Sequence, residues 1–147
     1  MTASGHNLAM ALRAAYWAMH RQTEMSLARG GVTADQFVLL ALLAEQDGIT
    51  QQELVRRASS DANTVRAMLV LLESRGLVAR GQHPTDGRAR RVTLTRQGRR
   101  MYEKLWTDSE PVRRRLRAAF RPEETDTVVE FLARISRALA QTANRDR

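Results

Sequence analysis

The amino-acid sequence predicts a mainly α-helical fold that carries a small two-stranded antiparallel β ribbon. Three observations support this prediction. Apolar residues recur with helical spacing at both ends of the chain, two helix-start signals follow each other closely at Thr50 and Asp61, and polar and apolar residues alternate over residues 89–95. A chain of 147 residues suits one core, so residues 1–147 are predicted to form a single domain.

The first predicted element is a helix within residues 6–30. Leu8, Leu12, Ala15 and Met19 recur there at a spacing that places them along one side of a helix. An apolar stripe of this kind has to be buried against another surface.

The next signal is a pair of short helices. Thr50-Gln51-Gln52-Glu53 has the pattern of a capping box, in which the first hydroxyl and the last carboxylate each accept from the other residue's backbone amide. The first helix is predicted from Gln51 to about Ala58, because Ser59-Ser60-Asp61 is a cluster of turn and cap residues. The aspartate in that cluster caps a second helix, and two helices joined this tightly form a helix-turn-helix.

The second helix is predicted from about Ala62 to Arg75, with an apolar face and a polar face. The apolar face seats the helix on its neighbours, which leaves the polar face free to enter the major groove of DNA. Asn63 and Arg66 are the leading candidates for base contacts, because asparagine bonds adenine and arginine bonds guanine through two hydrogen bonds. Simple solvation of the polar face remains the alternative, and Val70 also points outward without an evident reason. The apolar face contains Val65, Met68, Leu69 and Leu72, and the polar face contains Asn63, Arg66, Ala67 and Ser74.

A two-stranded ribbon is predicted after this helix. Gly76 suits the position that ends a helix, and Leu77-Val78-Ala79-Arg80 then forms a strand that enters a turn over residues 83–87. The return strand is predicted over residues 89–95, where Val92 and Leu94 alternate with polar residues. A ribbon packed on a helix-turn-helix in this way is a wing.

The tip of the wing is rich in arginine. Arg88 and Arg90 lie at or near it, where arginine side chains enter the minor groove or pair with phosphates. Asp86 is expected to bond Arg88 and fix its direction.

The distribution of charge supports binding to nucleic acid. The whole chain has a net charge of +8, and residues 51–100 contain 11 arginines against four acidic residues. The basic excess is therefore concentrated in the helix-turn-helix and the wing. A local positive field of this kind is the footprint of a protein that displaces counterions from a phosphate backbone.

Helical periodicity returns after the wing. The segment from Gly98 to Phe120 carries an apolar face, with Pro111 expected to kink or restart the helix, and Pro122 should begin the last helix. One short domain cannot easily bury the apolar stripes at both ends, so residues 6–30 and 99–143 are predicted to be dimerisation helices of an intertwined homodimer. The last stripe consists of Val128, Leu132, Ile135 and Leu139.

Composition excludes several other classes. The chain has no cysteine, which rules out disulfides, thiolate metal sites and thiol-based sensing. No apolar run approaches the roughly 20 residues that cross a bilayer, and the first residues lack the features of a signal peptide. We therefore expect a cytoplasmic protein that does not contact a membrane.

Enzyme motifs are missing as well. His6, His20 and His83 are scattered along the chain, and there is no glycine-rich phosphate loop, nucleophile elbow or zinc-ligand spacing. The sequence predicts no catalytic residue, no metal site and no cofactor.

Taken in order, these segments resemble the MarR family of bacterial winged-helix transcription regulators. The resemblance implies a winged helix-turn-helix module over residues 33–98, flanked by N- and C-terminal dimerisation helices. One departure lies in the helix-turn-helix turn, which is Ala58-Ser59-Ser60 where family members often carry a glycine. The matching segments are the helix from Thr33 to Leu43 with Gln36 and Leu40, Thr50-Gln51-Gln52-Glu53-Leu54, Asn63-Thr64-Val65, Leu72-Glu73-Ser74-Arg75-Gly76-Leu77-Val78-Ala79-Arg80, Asp86-Gly87-Arg88 and Val92-Thr93-Leu94-Thr95-Arg96-Gln97-Gly98.

The resemblance implies a function as well as a fold. The expected protein is a homodimeric repressor whose two recognition helices contact half-sites of a pseudo-palindromic operator about 34 Å apart. The candidate DNA contacts lie at the starts of the two helices, on the outward face of the second helix and in the wing. They are Thr50, Gln51, Asp61, Ala62, Asn63, Thr64, Arg66, Ala67, Thr85, Asp86, Arg88 and Arg90.

The resemblance further implies that a small aromatic or phenolic anion releases the protein from DNA. Arg13 would pair with its carboxylate, Trp17 would stack on its ring and His20 would donate a hydrogen bond, with Trp106 as a further contact. The alternative for each is an ordinary structural role, with the tryptophans in the core and Arg13 solvated.

Two other functions stay open. A winged-helix module of this charge is also suited to an acidic protein partner, in which case binding would not depend on Asn63 or Arg66 in a base-specific way. His20 and Glu24 stand four residues apart on one helical face, which makes a metal-responsive regulator a further possibility.

Overall fold

The computed structural model describes residues 2–82 and 90–143 of the chain. These residues form a mainly helical structure with one small antiparallel sheet, as predicted. The structure divides into two units, Met1–Ser109 and Glu110–Arg147. In chain order the elements are α1 (Gly5–Leu27), a short 3₁₀ turn (Ala28–Gly30), α2 (Ala34–Glu45), β1 (Ile49–Thr50), α3 (Gln51–Arg57), α4 (Ala62–Ser74), β2 (Val78–Gln82), β3 (Arg90–Leu94), α5 (Arg96–Asp108), α6 (Glu110–Ala118) and α7 (Pro122–Ala143).

Helix α2 begins with a complete capping box. The Thr33 hydroxyl accepts from the Gln36 amide, and the Gln36 side chain accepts from the Thr33 amide, both at 3.1 Å. Glu24 on α1 also accepts a hydrogen bond from the Ala34 amide at 2.6 Å. Three side chains therefore satisfy backbone amides at the start of this core helix.

The capping box predicted at the start of α3 is only half formed. The Thr50 hydroxyl accepts from the Glu53 amide at 3.1 Å, as expected. The Glu53 carboxylate instead accepts hydrogen bonds from Arg56 and Arg57, at 3.0 and 2.9 Å. Hydrogen bonds between charged groups are stronger than those to a neutral amide, so the two guanidinium groups capture the carboxylate.

The sheet has three strands where the sequence predicts two. The order is β1–β3–β2 and every pairing is antiparallel, with Ile49 opposite Val92 and Val78 opposite Leu94. Strands β2 and β3 are the predicted ribbon. Strand β1 was not predicted because its two residues are too few to show an alternating pattern.

One core holds the first unit together. Helices α2, α3 and α4 and strands β2 and β3 all contribute side chains to it, as do the last residue of α1 and Leu105 of α5. The predicted apolar face of α4 is in place, since Val65, Leu69 and Leu72 are fully buried and Met68 is half-buried. The core therefore sits directly behind α4. Its fully buried side chains are Leu27, Leu39, Leu40, Leu43, Leu54, Val65, Leu69, Leu72, Leu77, Val92 and Leu105.

The second unit contains α6 and α7. Pro111 is the second residue of α6 and Pro122 is the first residue of α7, so both prolines occupy the first turn of a new helix, as predicted. Glu110 forms ion pairs with Arg113 and Arg117, each at 3.0 Å. Helix α7 exposes much of its apolar stripe, including Leu132 and Leu139.

The long helix α1 is also largely exposed on its apolar side. Leu8 is 51% exposed and Met19, on the same side, is 38% exposed. Across the described ranges no single helix has the length and apolar character to span a membrane. The bent pair Gly5–Gly30 and Ala34–Glu45, which meet at 79°, passes that test by length and composition.

Helices α3 and α4 end in the same hydrogen-bonded motif, with different residues at its critical position. After α3, the amides of Ser59 and Ser60 donate to the carbonyls of Arg56 and Val55, which is the Schellman pattern. After α4, Gly76 and Leu77 repeat the same pattern. The left-handed residue is Gly76 in the second motif, at φ 73°, but Ser59 in the first, at φ 51°. A glycine is thus not needed for this turn to form, although serine is strained there.

This difference predicts opposite effects of two substitutions on stability. Ser59→Gly should raise the free energy of unfolding by about 0.5–1 kcal/mol, because relief of left-handed strain exceeds the added freedom of the unfolded chain. Gly76→Ala should lower the free energy of unfolding by about 1 kcal/mol, because alanine is strained at the left-handed φ of 73° that glycine adopts freely. Thermal and urea unfolding followed by circular dichroism will measure both changes.

The neighbouring substitution Ser60→Gly is the matched control. Ser60 does not have a positive φ, so glycine there adds freedom to the unfolded chain without relieving strain and should destabilise the protein slightly. Equal effects of glycine at the two serines would contradict the assignment of strain to Ser59.

Candidate nucleic-acid interface

The outward face of α4 presents the predicted base-contacting residues. Asn63, Arg66, Ala67 and Ser74 are all exposed, whereas the opposite face of the helix is buried in the core. Within the described part of the chain, the side chains of Asn63 and Arg66 form no hydrogen bond or ion pair. These two side chains are therefore available to a ligand outside the protein.

The start of α4 is fixed by a network between Asp61 and Thr64. One carboxylate oxygen of Asp61 accepts from the Thr64 amide at 2.9 Å, and the other accepts from the Thr64 hydroxyl at 2.7 Å. These hydrogen bonds, of which that from the Thr64 amide is the strongest, lower the pKa of Asp61. Both side chains are engaged within the protein, so they set the position of Ala62 and Asn63 at the helix start.

The start of α3 holds the remaining candidates from the helix-turn-helix. Thr50 is half-buried and acts as the N-cap, and Gln51 follows it as the first helical residue. The side-chain oxygen of Gln51 is buried and accepts no hydrogen bond from the described residues. Neither residue is as accessible as the outward face of α4.

Helix α4 is tied to the wing by an ion pair that the sequence analysis did not predict. Glu73 and Arg80 lie on either side of the Gly76 turn, with a carboxylate oxygen and a guanidinium nitrogen 3.1 Å apart. Arg80 is the largest cause of the lowered pKa of Glu73, and its side chain is only 17% exposed. In the sequence, an acidic and a basic residue stand on either side of the Gly76 turn, and this pattern indicates such an ion pair.

A second unpredicted contact joins the end of α4 to the turn that follows α1. Arg75 donates to the carbonyls of Gly31 and Gly30, at 2.7 and 2.9 Å. More than 40 residues separate the partners in sequence, so no local pattern could have revealed the contact. Both ends of α4 are thus held by directional hydrogen bonds.

The wing is described only in part. Arg90 lies at the first position of β3 and is exposed, as is its neighbour Arg91. Asp47 accepts a hydrogen bond from the Leu94 amide at 2.9 Å and so anchors the base of β3. The predicted contacts Thr85, Asp86 and Arg88 lie outside the described residues.

The candidate effector residues of α1 lie together. The guanidinium carbon of Arg13 is 5.8 Å from the centre of the Trp17 ring, and the rings of Trp17 and His20 are 5.3 Å apart. Trp106 lies on α5, where its ring is 5.9 Å from that of Tyr102. Trp17 and Trp106 are 39% and 44% exposed in the single chain, so neither is a core residue there.

The structure also contains a cavity that the sequence analysis did not predict. It has a volume of about 340 Å³ and lies between α1, α2 and the helix-turn-helix. Tyr16 lines it from α1, Val38 from α2, Thr64 and Met68 from α4, and residues 58–60 from the turn. The ring of Tyr16 is stacked 5.7 Å from that of His20, which connects the cavity to the aromatic cluster on α1.

The pair that suggested a metal site has another role. His20 and Glu24 are 3.7 Å apart, but Glu24 also accepts the hydrogen bond from the Ala34 amide at the start of α2. In the parts of the chain that the structure covers, no group of three His, Asp or Glu side chains is placed to hold a metal ion.

A helix-turn-helix followed by an antiparallel ribbon, with a basic and exposed outer face, defines a winged helix-turn-helix protein. A family model described as the MarR family matches residues 32–89. The HTH-type transcriptional regulator YdgJ of Bacillus subtilis is 33% identical over 105 residues, which cover 71% of this chain and 64% of that relative. The chain spans about half the length of the next curated relatives. The chain belongs to the MarR family.

Solved structures agree with this assignment. BpsR of Bordetella bronchiseptica, whose DNA binding is regulated by 6-hydroxynicotinic acid, is 29% identical with a TM-score of 0.78 over 88% of this chain and 98% of that one. A variant of MarR from Escherichia coli, complexed with operator DNA, is 26% identical with a TM-score of 0.79 over 87% of this chain and 92% of that one. The family and these relatives are transcriptional regulators and not enzymes.

The contacts of Glu53 predict an unusual titration. Hydrogen bonds from Arg56 and then Arg57 lower the pKa of Glu53 from 4.5 to about 2. These two hydrogen bonds therefore contribute fully to the stability of the fold above about pH 4.5. Their contribution is lost as the pH falls towards 2 and Glu53 becomes protonated. Carboxyl-resolved NMR should find Glu53 still ionised at pH 4, and Arg56→Ala should raise its midpoint.

Arg66→Ala serves as the control for this titration. It removes an arginine from the neighbouring helix α4 that has no hydrogen bond to Glu53, so the Glu53 midpoint should stay where it is. A wild-type midpoint close to 4.5 would show that the two guanidinium groups do not hold the carboxylate in solution.

Proposed function

We propose that the chain is a sequence-specific DNA-binding transcriptional regulator that acts as a homodimeric repressor on a pseudo-palindromic operator. The observation that carries this proposal is the outward face of α4, where Asn63 and Arg66 are exposed and form no side-chain bond within the described part of the chain. A helix of this kind fits the major groove, and its residues suit adenine and guanine. The operator complex of the Escherichia coli relative supports the same use of the fold.

The charge around α4 favours the same function. Arg90 and Arg91 are exposed on β3, within the segment 51–100 that contains most of the net charge of the chain. Arg56 and Arg57 are instead neutralised in part by Glu53. The wing therefore supplies phosphate contacts, and α4 supplies base contacts.

The exposed apolar residues of α1 and α7 support a homodimer. Leu8 and Met19 on one side of α1 are 51% and 38% exposed in a single chain, and Leu132 and Leu139 on α7 are 46% and 69% exposed. Exposed apolar patches of this kind mark association surfaces. A second copy of the chain would cover them and would place two recognition helices on one face of the DNA.

The cavity behind the turn is suited to a small effector. A volume of about 340 Å³ suits a small aromatic or phenolic molecule, for which Tyr16 offers a stacking surface. The Thr64 hydroxyl, which donates its proton to Asp61, can still accept a hydrogen bond from a phenol. A molecule bound there touches α1 and α4 together, so it is placed to change the orientation of the recognition helix. Regulation of BpsR by 6-hydroxynicotinic acid supports an effector of this chemistry.

The salt dependence of DNA binding tests the function itself. The logarithm of the association constant for an operator duplex should fall linearly with the logarithm of salt concentration, by about 0.9 per neutralised phosphate. A homodimer that contacts four or more phosphates should give a slope of about −3.6 or steeper. Fluorescence anisotropy across a salt series measures it, and a flat slope would rule out the proposal.

Substitutions should separate base contacts from phosphate contacts. Asn63→Ala or Arg66→Ala should remove about 1–3 kcal/mol of discrimination between bases at one position of each half-site. Arg90→Ala should weaken binding to all sequences by a similar factor and make the salt slope shallower by about 1 per protomer. Selection from a randomised duplex library, followed by sequencing, distinguishes the two effects.

Arg29→Ala is the control for these variants. It removes one exposed positive charge outside the winged module and should leave sequence preference unchanged. If all four variants alter binding in the same way, the division of roles between α4 and the wing is incorrect.

A further inference from the structure

Val70 is an exposed apolar residue in the middle of the polar face of α4. Its side chain is 48% exposed, and it is not among the residues that pack in the core. Valine is a poorer helix former than alanine or the long polar residues, so a merely solvated position would not favour it. Packing in the core does not account for its presence there.

The position of Val70 on the helix supplies that reason. At about 100° per residue, Val70 lies about 20° from Asn63 and about 40° from Arg66 around the helix axis. Asn63, Arg66, Ala67 and Val70 are spaced i, i+3, i+4 and i+7, which is the spacing at which the homeodomain recognition helix contacts bases in the major groove. Val70 therefore belongs to the same surface as the candidate base contacts.

The distance along the helix also fits a base contact. Seven residues separate Val70 from Asn63, which corresponds to about 10.5 Å along the axis, or about three base pairs. In the major groove only thymine presents a methyl group, and apolar side chains distinguish it by contact with that group. A valine side chain has no hydrogen-bonding atoms, so it suits none of the polar base edges.

We propose that Val70 is a specificity-determining residue that contacts the 5-methyl group of a thymine about three base pairs from the base contacted by Asn63. The proposal rests on the DNA-binding function proposed above and adds an A·T preference at one position of each half-site. The surrounding charge favours DNA over an apolar protein partner, because Arg66 lies on the same face and would be desolvated without compensation by such a partner.

Deoxyuridine substitution tests this contact directly, because it removes the thymine methyl group and keeps the base pair. In an operator selected with the wild-type protein, each thymine is replaced in turn, and the affinity of wild-type protein and of Val70→Ala is measured for every duplex. At one position per half-site, deoxyuridine should weaken wild-type binding roughly fourfold, the effect of one buried methyl group.

The same thymine should lose its influence in the variant. Val70→Ala should bind the unmodified operator more weakly and should be insensitive to deoxyuridine at that position, which is the coupling that a double-mutant cycle detects. Alanine is a better helix former than valine, so the variant should keep the wild-type circular dichroism spectrum. Leu71→Ala is the matched control, since Leu71 is 55% exposed on the same helix but about 100° away from Val70.

The possible results separate this inference from the function on which it rests. If the wild-type protein binds no duplex, the DNA-binding function fails and the inference fails with it. If it binds an operator but no deoxyuridine position couples to Val70→Ala, only the inference is overturned. If Val70→Ala and Leu71→Ala leave DNA binding unchanged but both abolish association with a protein, the face is a protein-binding surface and the inference is wrong.

Discussion

The burial of three side chains on one side of α4 determines what the protein presents to its surroundings. Val65, Leu69 and Leu72 are fully buried in the main core. Full burial of each contributes about 1.5–3 kcal/mol relative to exposure. Rotating α4 by one residue position, about 100°, would expose part of this stripe and bury Asn63 or Arg66 without partners. The same hydrophobic burial that folds the domain therefore selects the face of α4 that remains available to a partner.

Directional contacts then hold the helix in register, because hydrophobic burial is not directional. Asp61 fixes the start of α4 through Thr64, and Arg75 fixes its end through two backbone carbonyls next to α1. Glu73 extends the same control to β2 through Arg80, whose side chain is mostly shielded from water. Helix α4 and the wing are thus oriented by one set of contacts, as the proposed joint contact with base pairs and phosphates would require.

Local patterns were sufficient to predict most elements, and contacts across the chain were not. The Asp61 cap, the buried face of α4 and the helix starts at Pro111 and Pro122 follow from signals that span only a few residues. Strand β1 is too short to carry a pattern, and the contacts of Arg75 join segments far apart in sequence. The second half of the Thr50 capping box failed because a neighbouring pair of arginines competed for the same carboxylate.

Helix α4 presents three different surfaces around its axis, and the two outside the core are the ones to which the proposal assigns effector and DNA contacts. Val65 and Leu69 face the core, Thr64 and Met68 line the cavity, and Asn63 and Val70 face outward. A molecule in the cavity would not need a relay of side chains to affect the outward face, because any displacement of Thr64 or Met68 moves the whole helix. Base contacts require placement to within a fraction of an ångström. A small shift of α4 would therefore be enough to weaken operator binding, and the coupling of effector to DNA would follow from the geometry of a single helix.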